Sequence, residues 1–137
     1  MGGGRVMDIP VLYEIDATKD FDKEVERFVR KKKFRKLPAQ IAELSLELSQ
    51  GKFDGTPIKE ASNPIEYVEY KLRMPNEDTK SGKSNGYRVI YAVMQEEKLV
   101  LLVMIYYKKE KETLPQEYID GLIFGYLLAQ SDAEEED

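Results

Sequence analysis

The sequence predicts a single α+β domain, a small antiparallel sheet with a helix hairpin ahead of it and one helix behind it, in the order β-α-α-β-β-β-α. Three observations predict it. The stretches Tyr87–Met94 and Leu99–Tyr107 are short, β-branched and aromatic, the composition of strands buried in a sheet. Two earlier stretches and the last one repeat their apolar residues at helical spacing instead. The 137 residues, 42% of them hydrophobic, suit one core of ordinary size.

Residues 1–10, with Gly2, Gly3 and Gly4, read as a flexible leader, and residues 11–15 as a first short strand. Phe21, Val25, Phe28 and Val29 mark one face of a helix over 18–32, and Leu37, Ile41, Leu44 and Leu48 mark a second. Pro38 sits early in the second helix, where a missing N–H costs nothing, and Gly51 is placed to end it. Between the two lies a basic turn, Arg27, Arg30, Lys31, Lys32, Lys33, Arg35 and Lys36, with no acid from 27 to 36. A helix C-terminus favours such cations without any ligand.

Residues 51–64 hold Gly, Pro, Ser and Asn and read as a loop. A strand over 65–73 then places Val68, Tyr70 and Leu72 on one face and Glu69, Lys71 and Arg73 on the other. In Tyr87–Met94 the same alternation sets Arg88, Ile90, Ala92 and Met94 apart from Tyr87, Val89, Tyr91 and Val93. Leu99–Tyr107 is apolar throughout, as a strand covered on both faces would be, and a turn at 95–98 makes a hairpin of the two. Thr113 with Gln116 resembles a capping box for a final helix carrying Ile119, Leu122, Ile123, Tyr126 and Leu127; the same stripe draws Tyr118 into the core. The domain is thus 11–130, followed by an acidic, disordered tail over 131–137.

Several function classes fall away at once. Without cysteine or histidine there is no thiolate nucleophile, no zinc site built on those residues and no ordinary general base near neutrality. No apolar run approaches the ~20 residues of a membrane span, and no signal-like segment opens the chain, so a cytoplasmic protein without a membrane partner is expected. The net charge is −5, yet five acids lie in the last six positions, and residues 1–131 carry 21 groups of each sign. Gly82-Lys83-Ser84 mimics the end of a nucleotide-binding P-loop, but Glu77 stands where that loop needs glycine and a strand follows instead of a helix. Arg88 lies on an apolar strand face and therefore needs a partner, either a carboxylate across the sheet or an anionic ligand.

Tyr70-Lys71-Leu72-Arg73, then Gly82-Lys83-Ser84-Asn85-Gly86-Tyr87-Arg88-Val89-Ile90-Tyr91, then Ile105-Tyr106-Tyr107-Lys108-Lys109-Glu110-Lys111-Glu112 together resemble the RelE/HigB family of bacterial toxin-antitoxin toxins. The similarity spans residues 11–128. It implies a RelE-like fold and a ribosome-dependent endoribonuclease that cuts messenger RNA without a cofactor. A cognate antitoxin would hold it inactive and bind operator DNA for the pair. By the resemblance Arg88 holds the scissile phosphate, Lys71 acts near the attacking 2′-hydroxyl, and Lys109 stands at a phosphate-stabilising position. Arg73, Lys83, Lys108, Lys111 and the turn lysines Lys31, Lys32 and Lys33 are candidates for RNA backbone contacts. Two positions depart from the family: Glu69 where it carries a base, and Pro115 where some members carry a tyrosine. A ParE-like toxin that binds DNA gyrase, and a catalytically decayed member that binds only its antitoxin, stay open.

Overall fold

The computed structural model describes residues 11–135; the leader over 1–10 and the last two residues lie outside it. The first helix, α1 (Lys19–Arg30), begins at Thr18, whose Oγ1 accepts the Phe21 N–H at 3.0 Å and donates to the Val103 carbonyl at 2.7 Å. One buried hydroxyl thus caps the helix and ties it to the sheet. The second helix, α2 (Leu37–Ser49), carries Pro38 in its first turn and ends before Gly51 at φ +83°, a conformation that glycine adopts without strain. Its unsatisfied first turn is met from outside, where the Asp78 carboxylate accepts the Lys36 N–H at 3.0 Å.

The sheet has five strands, β1 (Glu14–Ala17), β2 (Thr56–Ala61), β3 (Tyr67–Met74), β4 (Tyr87–Met94) and β5 (Leu99–Tyr107), in the order β1-β5-β4-β3-β2. Four are antiparallel neighbours, and β1 runs parallel to β5. A final helix, α3 (Gln116–Glu135), covers the face away from α1 and α2. The α+β class and the helix hairpin follow the sequence; the sheet differs in two respects.

The segment over 51–64 is not all loop, because β2 pairs with the outer edge of β3. Pro57 is tolerated there because an edge strand has one side free of ladder bonds, and the register slips between Pro57 and Lys59. The first strand begins three residues later than its apolar pattern suggested, and it joins the sheet in parallel.

Two further corrections concern α3. Thr113 caps nothing: the helix starts at Gln116, where the Pro115 carbonyl accepts the N–H groups of Tyr118 and Ile119. The helix also continues through 131–135, inside the segment read as a disordered tail.

The core has a layer on each sheet face. On one, Phe21, Phe28, Leu37 and Leu48 pack on Tyr87, Val89 and Tyr91; on the other, Ile119 and Ile123 pack with Ile90, Met94, Leu101 and Val103. Each such side chain adds about 1.5–3 kcal/mol of hydrophobic stabilisation. β4 is buried along its whole length. Among the described residues no helix is long and apolar enough to cross a membrane.

Candidate nucleic-acid interface

Strand register brings the cations of β3 and β4 together. Arg73 is the Cα partner of Arg88, which in turn pairs with Tyr106, and Lys71 pairs with Ile90 one row along. All lie on the α3 face. The helix does not cover this part of it, because α3 begins beside Glu69, where Gln116 Nε2 donates to Glu69 Oε1 at 2.6 Å, and runs on past Tyr67 and Met94. Lys71 is half-buried and Arg73 exposed. Among the described residues neither forms an ion pair.

Arg88 finds a partner of a third kind, the main chain. Its side chain is 5% exposed, and Nη1 donates to the Lys83 carbonyl at 2.9 Å and to that of Tyr87 at 3.3 Å, while Nη2 donates to Ser84 at 3.1 Å. The guanidinium thus gathers the loop that precedes its own strand. That loop is a single 3₁₀ turn at Lys83–Asn85 and opens no longer helix, which agrees with rejecting the P-loop. Gly86 closes it against β3: a Cβ there would lie 2.3 Å from the Met74 carbonyl oxygen. Upstream, buried Asn76 accepts the N–H groups of Asp78 and Thr79 at 3.0 and 3.1 Å, and Gln40 donates to the Pro75 carbonyl at 2.7 Å. The basic loop is therefore anchored at both ends, with Lys83 exposed between them.

The exit of β5 closes the other margin. The Lys108 N–H donates to Gly86, and its Nζ lies 2.6 Å from Glu112. The Glu112 carboxyl is held below its ordinary range, first by that lysine and also by the charge of Arg88. Glu110 turns to the helix hairpin, meeting Arg27 at 2.7 Å and Lys32 at 3.0 Å, and the Arg27 bond is the main reason its carboxyl is also lowered. The acid missing from the basic turn is thus supplied from the far end of the chain. Lys31, Lys33, Lys109 and Lys111 are exposed.

The predicted residues therefore fall into two sets. Lys71, Arg73 and Arg88 share one sheet face, with Lys83 and Lys108 at its margin; Glu110 ties Lys32 of the basic turn to the exit of β5, and Lys31, Lys33, Lys109 and Lys111 are exposed lysines of the two segments so joined. Tyr118 is not a core residue: it is 40% exposed, and its hydroxyl lies 3.3 Å from Asp20.

Sequence reasoning missed the environment of Glu69. It is fully buried, Oε2 has no partner, and Gln116 also bonds Asp120 at 2.9 Å, which Lys59 holds at 2.6 Å. Burial pushes the Glu69 carboxyl up to about 7, against the Gln116 bond and helped by neighbouring Asp120. The alternation gave no signal of it, since it sets Glu69 on the face of Lys71 and Arg73; the burial comes from Ala92 across the sheet and from the start of α3. Among the described residues no group of three or more His, Cys, Asp or Glu is placed to hold a metal ion. No protein-family model matches the chain, and comparison with curated proteins gives no significant match.

Proposed function

We propose that the protein is a RelE/HigB-like toxin, a cytoplasmic endoribonuclease that cuts messenger RNA on the ribosome and is neutralised by a cognate antitoxin. The observation that carries this reading is the end of the sheet face where Lys71 and Arg73 reach solvent beside buried Arg88, none of the three in an ion pair among the described residues. In the reaction the RNA 2′-hydroxyl gives up its proton as its oxygen attacks the adjacent 3′-phosphorus, the bond to the 5′-oxygen breaks, and that oxygen takes up a proton. Negative charge gathers on the non-bridging oxygens, and fixed cations stabilise it. Lys71 and Arg73 meet the backbone directly. Arg88 adds its charge from beneath and holds the Lys83 loop in place. The basic rim of Lys31, Lys32, Lys33, Lys109 and Lys111 grips ribosomal phosphates.

One observation favours a second reading, a ParE-like or catalytically decayed member. Arg88 is nearly buried and spends three donor contacts on loop carbonyls. Expression of the chain separates the readings. An RNA-cutting toxin arrests growth, is relieved by the product of an adjacent short antitoxin frame, and leaves cut messages. Lys71→Ala then slows cleavage by about 100- to 10,000-fold, the scale of one positioned catalytic group, with an unchanged melting curve. Replacing Lys31, Lys32 and Lys33 by alanine instead weakens ribosome binding, steeply so as salt rises. Arrest with intact messages supports the ParE-like reading, and normal growth the decayed one.

A further inference from the structure

Helix α3 buries Ile119 and Ile123 against the sheet, so a solitary domain would carry polar residues on its opposite side. It carries apolar ones. Phe124 is 53% exposed, Leu128 48% and Tyr118 40%. Gly121 and Gly125 lie beside them, one turn apart, and a methyl group at either would meet nothing within 4 Å. Each glycine costs about 1 kcal/mol relative to alanine inside a helix, and no packing within this chain requires it. A groove of about 390 Å³ follows this side of α3 along the β1–α1 junction, lined by Gly121, Gly125 and Ala129 and by Asp16 and Asp20.

Charge selects the occupant. Asp16, Asp20, Glu117 and Asp132 surround the face, and among the described residues none of them forms an ion pair. One cation, Lys19, lines the groove. A second copy of the chain would set these acids against their like. We propose that the outer face of α3 seats a basic amphipathic helix of a second protein, its small apolar stripe on Phe124, Leu128 and the two glycines and its lysines or arginines over the acidic rim. The proposal does not depend on RNA cleavage.

The probe is a labelled helical peptide of about 20 residues, long enough to span the face, with an alanine/leucine stripe and lysine flanks. Its twin carries glutamate flanks. By fluorescence anisotropy with the full chain, the lysine peptide binds and the glutamate twin binds at least about tenfold more weakly, a gap that salt narrows. Phe124→Ser combined with Leu128→Ser removes binding. Gly125→Leu weakens it while raising the melting temperature, because the added side chain enters open space in the free protein and blocks the approach of a partner helix. Equal binding of both peptides, binding of neither, or survival of binding in these variants overturns the proposal. So does sedimentation of the chain as a dimer that Phe124→Ser dissociates. Should the double variant fail to fold, Gly125→Leu decides alone.

Discussion

Arg88→Ala lowers the stability of the protein and slows message cleavage in the molecules that still fold. The guanidinium is buried, and its loss leaves the carbonyls of Lys83, Ser84 and Tyr87 without their donor. Three such bonds from a charged group amount to about 2–4 kcal/mol, seen as a lower urea midpoint, and hydrogen exchange over 81–87 speeds up. Removing its charge from the face costs about 100- to 1000-fold in single-turnover rate, as loss of one preorganised oxyanion donor does. The two effects separate in Arg88→Lys, which keeps the charge but not the fork that spans three carbonyls. Its cleavage stays nearer the parent than its stability does. If Arg88→Ala cuts at the parental rate per folded molecule, Arg88 serves the loop alone.

Glu69→Gln stabilises the protein at alkaline pH and changes little in acid. The folded state raises the Glu69 carboxyl from its usual 4.5 to about 7, so folding favours the protonated form. That contribution is fully present below pH 4.5 and is lost as the pH rises through about 7, where a buried charge must be carried. Glutamine keeps the shape and never ionises. The variant is therefore about as stable as the parent at pH 4 and about 1–3 kcal/mol more stable at pH 8.5. Urea melts of both proteins across that range measure it. A constant difference at all pH values contradicts the burial of an ionisable Glu69, and a destabilised variant at pH 8.5 reverses the sign.

What the sequence disclosed follows the strength of each local signal. Tyr87–Met94 and Leu99–Tyr107 are legible to the residue because both are buried on both faces, so every position is apolar or aromatic except Arg88. β2 was hidden because an edge strand with Pro57 uses the residues of a loop. Tyr118 matched the apolar spacing of α3 but lies at the flank of the stripe, one turn before half-buried Leu122, where a side chain reaches water.

The candidate site divides in the same way. Alternation placed Lys71 and Arg73 on one face of their strand and Arg88 on one face of its own, since a strand fixes side-chain direction with period two; the register between the strands set the three on a common face. The partners were not legible. Arg88 binds main-chain carbonyls, which every residue has, and Glu110 reaches Arg27 and Lys32 from far along the chain. Glu69 looked like a departure from a basic pattern; in the structure it anchors the start of α3 through Gln116.

The most direct measurement is single-turnover cleavage of a defined message on programmed ribosomes by the purified full chain, with free message and Lys71→Ala run beside it. The account predicts one dominant cut at the decoding site, none on free message, and a cut slowed by Lys71→Ala although that variant melts like the parent. An intact message with well-folded parent protein contradicts it, as does cleavage that Lys71→Ala leaves unchanged.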